Sequence, residues 1–315
     1  MNQFEEYMKT IVYPYIDPRR SEDYFYNKAG KRLRYKVYRA DERGKSVLII
    51  HGFSEFLEKY DEVIYHFLRA GLDVYLPEMQ GHGYSDRLVD DPYLVHIDSI
   101  LTYISDIKQF VEAKMPPDPA QRILFGHSMG GGIGARYISL YPKDFRKVIL
   151  SSPMIKMRTG SVPHALAVEI SRLRTCRGKA AECAAGESGF PGEAVPEKMT
   201  EKQKFFYRKR LQNPLFQTWN PTYGWLVAAG ENEKALSRVK DLPCDLLVFA
   251  SGRDDLVYPE ATSRFARRQR RAKLVRVEGG RHELFNDNDE KAEIFWKEIW
   301  EFLVDTMSPA RRPMV

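Results

Sequence analysis

Arg122-Ile123-Leu124-Phe125-Gly126-His127-Ser128-Met129-Gly130 is the stretch that decides the fold. Its first four residues are short, mostly apolar and rich in strand formers, and the small residues after it, Gly131 to Ala135, lead into a helix. A strand, one sharp turn and a helix is the context in which Gly-x-Ser-x-Gly carries chemistry. Gly126 and Gly130 remove side chains that would clash in so tight a turn. Ser128 then stands exposed at the strand's end, near the positive end of the helix that follows. Ser128 is therefore the candidate nucleophile, and Met129 N–H the first candidate donor to an oxyanion.

Apolar strands stand on both sides of this unit. Ser46 to Ile50 reads as a central strand, preceded by the alternating Leu33 to Tyr38 and by a turn at Asp41 to Gly44. It runs into His51-Gly52-Phe53-Ser54-Glu55, a loop that can turn backbone N–H groups inward, so Phe53 N–H is the second oxyanion donor. His51 is expected to orient this loop. His82, between Gly81 and Gly83, is expected to be structural. A helix from Tyr60 to Ala70 uses Val63, Ile64, Phe67 and Leu68 as its apolar face, with Gly71 as cap. A second helix follows Asp98, with Ile100, Leu101, Ile104, Ile107 and Val111 inward. A last helix carries Ile294, Phe295, Ile299, Trp300 and Leu303.

The alternation of strand and helix stops after Lys147 to Ser151 and resumes with Asp245 to Ala250. Residues 154–235 between them are expected to form a cap over the C-terminal edge of the sheet. Residues 1–153 and 236–315 then make the body. Two loops past the interruption complete the site. In Gly252-Arg253-Asp254-Asp255-Leu256-Val257-Tyr258-Pro259 two acids compete; the spacing Gly-x-x-Asp-x-hydrophobic-x-Pro favours Asp255 as the acid, leaving Asp254 to brace the loop. Gly279-Gly280-Arg281-His282 places His282 as the base, and Ser128, Asp255, His282 is the chain order of a Ser-Asp-His triad.

His51-Gly52-Phe53-Ser54-Glu55, Gly81-His82-Gly83-Tyr84-Ser85, the serine turn and Gly280-Arg281-His282-Glu283 together resemble the monoglyceride lipase and lysophospholipase group of serine hydrolases. The run Gln203 to Arg210, followed by Asn220 to Trp225, is similar to the cap of bacterial lysophospholipases. The resemblance implies an α/β-hydrolase fold: a mostly parallel central sheet flanked by helices, with a helical cap insertion. It also implies hydrolysis of a fatty acyl ester through an acyl-enzyme, with no cofactor and no metal. A short-chain esterase or peptidase with the same triad is the alternative, and a catalytically silent binding protein a remote one.

Composition bounds the partners. The 315 residues hold 49 Lys+Arg against 43 Asp+Glu, a net charge of +6, and three cysteines, Cys176, Cys183 and Cys244, with no metal-binding spacing. The basic runs Arg208-Lys209-Arg210 and Arg267 to Arg271 lack a nucleic-acid-binding module, so they read as solvated helix ends, with anionic lipid head groups as the functional rival. Acids near the start, Glu5 and Glu6, stand where a secretory leader needs bases. A cytoplasmic chain is expected, with peripheral contact to an anionic membrane face and no nucleic acid.

Overall fold

The computed structural model describes residues 2–41, 44–192 and 194–305; Glu42 and Arg43, in the expected turn, lie outside them. Eight strands form one sheet: β1 (Arg20–Tyr26), β2 (Arg32–Tyr38), β3 (Ser46–Ile50), β4 (Asp73–Pro77), β5 (Arg122–His127), β6 (Lys147–Ser151), β7 (Asp245–Ser251) and β8 (Ala272–Val277). Their spatial order is β1-β2-β4-β3-β5-β6-β7-β8. The pairings β1/β2 and β2/β4 are antiparallel and all the others are parallel. The fold is an α/β-hydrolase sheet, with β5 at its centre. Register places Gly126 opposite both Ile50 and Leu150, so the serine turn leaves the sheet beside the ends of β3 and β6.

Helices cover both faces. Those of nine residues or more are α1 (Asp61–Arg69), α2 (Ile100–Lys114), α3 (Met129–Leu140), α4 (His164–Cys176), α5 (Glu201–Gln212), α6 (Tyr223–Ser237), α7 (Pro259–Arg267) and α8 (Asp289–Leu303). Because both faces are covered, β3 and β6 are buried throughout and read as unbroken apolar runs rather than alternating ones. The helix α1 buries Val63, Ile64, Phe67 and Leu68. Gly71 at φ 82° closes it, its N–H bonding to Leu68 O at 2.9 Å while Leu72 N–H reaches Phe67 O at 3.0 Å.

Several local expectations are corrected. Ser99, not Asp98, caps α2, accepting the N–H of Leu101, and Leu101 itself is exposed while Tyr103 is buried. In α8 the inward face is Phe295, Trp296, Ile299, Trp300 and Leu303; Ile294 points outward. The strand β2 is buried on both faces, because Arg34 and Lys36 meet Glu22 and Glu58 instead of water. The basic run from Arg208 is not a solvated end: Lys209 Nζ pairs with Asp61 at 2.9 Å, and Arg210 is 8% exposed.

Between β6 and β7 the chain builds α4, α5 and α6. Asn220–Pro221 pairs with Leu94–Val95 in a small second sheet, tying this insertion to the body.

Candidate active site

At the serine turn, Ser128 has φ 54° and ψ −119°, a backbone region that costs a non-glycine residue roughly 1–3 kcal/mol. Its N–H donates to Ser151 O at 3.0 Å, and its carbonyl accepts from Gly132 and Met154 N–H at 3.1 and 2.8 Å. A Cβ on Gly126 would lie 2.6 Å from Gly130 O, and one on Gly130 only 2.1 Å from Ile50 O. Both glycines are thus fixed by backbone packed against backbone. Met129 opens α3, and the first N–H groups of a helix have no intrahelical acceptor.

The acid and base loops are stitched together past β7 and β8. Gly252 N–H reaches Val277 O at 2.9 Å and Arg253 N–H reaches Gly280 O at 2.8 Å. This approach is open only because Gly252 lacks a Cβ, which would lie 2.9 Å from Gly279 N. The residue that meets the histidine is Asp254: its Oδ2 is 2.7 Å from His282 Nδ1, and its Oδ1 accepts the N–H groups of Leu256 and Val257 at 2.9 Å each. Asp255, favoured by spacing, is exposed and turned away. The physical reason is the turn. Its first acid is bound into the loop by the two amides ahead of it, which swings the next residue outward. Burial pushes the Asp254 carboxyl up, but the hydrogen bonds from His282, Val257 and Leu256 outweigh it and hold the group below its ordinary value.

With Nδ1–H directed at Asp254, His282 keeps a lone pair on Nε2, which is buried and has no hydrogen-bond partner among the described residues. Ser128 and His282 line the same cavity. His127 packs its ring 4.9 Å from His282, and burial holds its own pKa down to about 4, so it adds no charge there at neutral pH.

The loop after β3 is tied from beneath. Met79 N–H donates to His51 Nε2 at 2.9 Å, and His51 Nδ1–H reaches Gly52 O at 2.8 Å. Ser54 N–H donates to His82 Nε2 at 3.2 Å. Gly52 N–H donates to Glu55 Oε2 at 2.6 Å. Phe53 N–H makes no hydrogen bond to any described residue, which leaves it available beside the serine turn.

Glu55, His127 and Glu283 bring ligand atoms within 4.8 Å of one another, a spacing that could suit a metal. Lys59 already fills the role of the cation: its Nζ is 2.7 Å from Glu55 Oε1 and 2.5 Å from Glu283 Oε1. Burial would raise the Glu55 carboxyl; Lys59 and the Tyr60 hydroxyl at 2.6 Å hold it far below the carboxylate range instead. The joining of Glu55 to Glu283 through Lys59, and the contact of Arg210 with Ser54, are not legible in the sequence. A lysine four residues after a glutamate signals only an ordinary helical pair, and the partner Glu283 is 224 positions away from Lys59.

The cavity at Ser128 has a volume of about 610 Å³. Phe53, Met154, Met157, Phe206, Trp225 and Leu226 are among its walls.

A mostly parallel sheet with a strained serine between the ends of its third and sixth strands, sharing a cavity with a histidine held by a buried aspartate, defines an α/β-hydrolase of the serine type. The chain belongs to the family described as "Serine aminopeptidase, S33", which matches residues 34–289. Among curated proteins it is 25% identical to lysophospholipase L2 of Escherichia coli strain K12 over 295 residues, covering 88% of this chain and 86% of that one. It is 28% identical to a monoacylglycerol lipase of Mycolicibacterium smegmatis over 282 residues, 88% of this chain and 95% of that one. The fold is shared with a solved monoacylglycerol lipase of Paleococcus ferrophilus, with a TM-score of 0.68, 21% identity and coverage of 87% and 98%.

Proposed function

We propose that this protein hydrolyses the carboxylic ester of a single-acyl lipid, of the lysophospholipid or monoacylglycerol class, with residues 154–235 forming the cap over the site. The observation that carries this reading is the apolar cavity at Ser128. Aromatic and aliphatic walls favour a hydrocarbon chain. Its two carboxylates, Glu55 and Glu283, both pair with Lys59, so neither is free to receive a peptide's amino terminus. This weighs against a peptidase despite the family's description. The relatives named for lysophospholipid and monoacylglycerol substrates point the same way.

The steps follow from the site. His282 Nε2 accepts the Ser128 proton as the oxygen attacks the ester carbonyl. Asp254 fixes the imidazole's orientation and stabilises its charge, and the N–H groups of Phe53 and Met129 receive the oxyanion. His282 returns the proton to the departing alcohol. Water, deprotonated by the same nitrogen, then splits the acyl ester on Ser128 and releases a fatty acid.

Peripheral membrane contact is part of the proposal. Among the described residues no helix is long and apolar enough to cross a bilayer. The outer face of α4, however, exposes Leu166, Ile170 and Leu173 at 52%, 41% and 52%, spaced as one helical stripe. Val162 and Leu256, which line the cavity, are exposed too, and Arg174 and Arg177 stand beside the stripe. Such a face suits the boundary of an anionic bilayer, with the cavity opening toward the substrate.

The test is fatty-acid or amine release by wild-type protein from a long-chain lysophospholipid, a long-chain monoacylglycerol, a short-chain ester and an aminoacyl anilide. Turnover of either long-chain lipid above the rest supports the proposal. Cleavage of the anilide or the short ester alone refutes it.

A further inference from the structure

The loop that carries Phe53 is gripped from two points by the insertion between β6 and β7. Trp225 of α6 packs on the Phe53 ring with centroids 4.4 Å apart. Phe216, in the segment joining α5 to α6, stacks flat on Phe56 at 4.2 Å and 5°. Between these two aromatic contacts lies Ser54, held at φ 60°, the left-handed region that favours glycine. A serine remains there only if its surroundings determine it.

Those surroundings are polar and mostly from the insertion. Ser54 Oγ donates to Thr218 O at 2.5 Å. The guanidinium of Arg210, on α5, donates through Nη2 to Ser54 O and through Nη1 to Ser54 Oγ at 3.3 Å. From the body, His82 Nε2 accepts the Ser54 N–H at 3.2 Å. Arg210 is buried among the rings of Phe56, Phe190 and Trp219, each about 5.6–5.7 Å away, which leaves its fork little freedom.

We infer that Arg210 is a positioning residue for the oxyanion: by holding the Ser54 carbonyl and hydroxyl it fixes the turn at φ 60° and, through it, the Phe53 N–H two peptide units upstream, so the catalytic donor is in place only when the cap is seated. This inference rests on the acyl-transfer reading of the site. It makes the cap part of the chemistry as well as of substrate binding. A misdirected Phe53 N–H still lets an ester bind but no longer meets the oxygen that becomes charged. The loss therefore falls on the transition state and not on the ground state.

The test compares wild type, Arg210→Lys and Arg210→Ala on a long-chain lysophospholipid, a long-chain monoacylglycerol and a water-soluble short-chain ester. Folding is followed by circular dichroism. Arg210→Ala is expected to lose about 100-fold in kcat on all three, the order lost with one oxyanion donor, with KM little changed. Arg210→Lys keeps part of the rate, and guanidinium chloride below its denaturing range restores part of it to Arg210→Ala. An unchanged kcat overturns the inference. So does a loss confined to the phosphate-bearing lipid, which makes Arg210 a head-group ligand, or a loss that appears only as raised KM. Wild-type protein inactive on all three esters overturns the ester-hydrolase reading itself, a result distinct from a failure at Arg210.

Discussion

Asp254 and Asp255 carry the same carboxyl one peptide apart, and only the path of the backbone tells them apart. Asp254 Oδ1 takes two amides of its own turn while Oδ2 takes His282, so the side chain is fully used and buried; Asp255 faces outward. An asparagine at 254 would present the imidazole with the wrong partner and fail to stabilise its charge. Asp254→Asn is expected to lower kcat by about 10⁴-fold, the loss seen when a triad acid is so replaced, while Asp255→Asn stays close to wild type. Rates of ester hydrolysis for the two variants side by side decide it. The proposed nucleophile and base stand out in the sequence because glycines announce tight turns on either side of Ser128 and just before His282. The acid does not, because Gly252 and Pro259 bracket both candidates and turn geometry, invisible in the letters, chooses.

At the scale of elements, β2 shows how a correct strand can be misread in its environment. Its alternation of apolar and charged residues, Leu33 to Tyr38, fits a half-buried strand. Instead Lys36 is 1% exposed, because Glu58, far along the chain, sits 2.7 Å from both Lys36 Nζ and Arg34 Nη2. Periodicity reports polarity and cannot report a distant counter-charge. Burial acts to raise the Glu58 carboxyl, yet Lys36 and Arg34 hold it down to about 2. A folded-state pKa below the unfolded one contributes stability that is present above the ordinary value near 4.5 and is lost as pH falls toward about 2. The contribution is on the order of 3 kcal/mol. Glu58→Gln should therefore lower the urea midpoint at neutral pH and flatten its dependence between pH 4.5 and about 2. A midpoint that tracks wild type through that window would count against the pairing. The strand β1 left no comparable trace, since six of its seven residues are polar or tyrosine and it is held by pairing to β2.

Across the whole molecule, the mostly parallel order of the sheet was legible, because buried parallel strands are largely apolar runs. The inside of the insertion was not. Its stretch from Gly178 to Gly192 holds few large apolar residues, and its important contacts, Arg210 to Ser54 and Phe216 to Phe56, join positions 156 and 160 residues apart. The net charge of +6 and the exposed stripe on α4 belong to this scale as well. Replacing Leu166, Ile170 and Leu173 together by serine should weaken binding to anionic vesicles at least tenfold, given the apolar area withdrawn from the bilayer boundary. Hydrolysis of a monomeric, water-soluble ester should remain unchanged. Sedimentation with vesicles checks the first effect and a solution assay the second; equal vesicle binding by the variant would remove α4 from the docking surface.

The central claim is that Ser128 carries the acyl group. Its most direct measurement is mass spectrometry of the protein quenched in acid during turnover of a long-chain monoacyl ester, with Ser128→Ala as the parallel sample. The account predicts one acyl group on the peptide containing Ser128 and, in the variant, no adduct and fatty-acid release lower by several orders of magnitude. An acyl group on another residue, or undiminished release by Ser128→Ala, would contradict it.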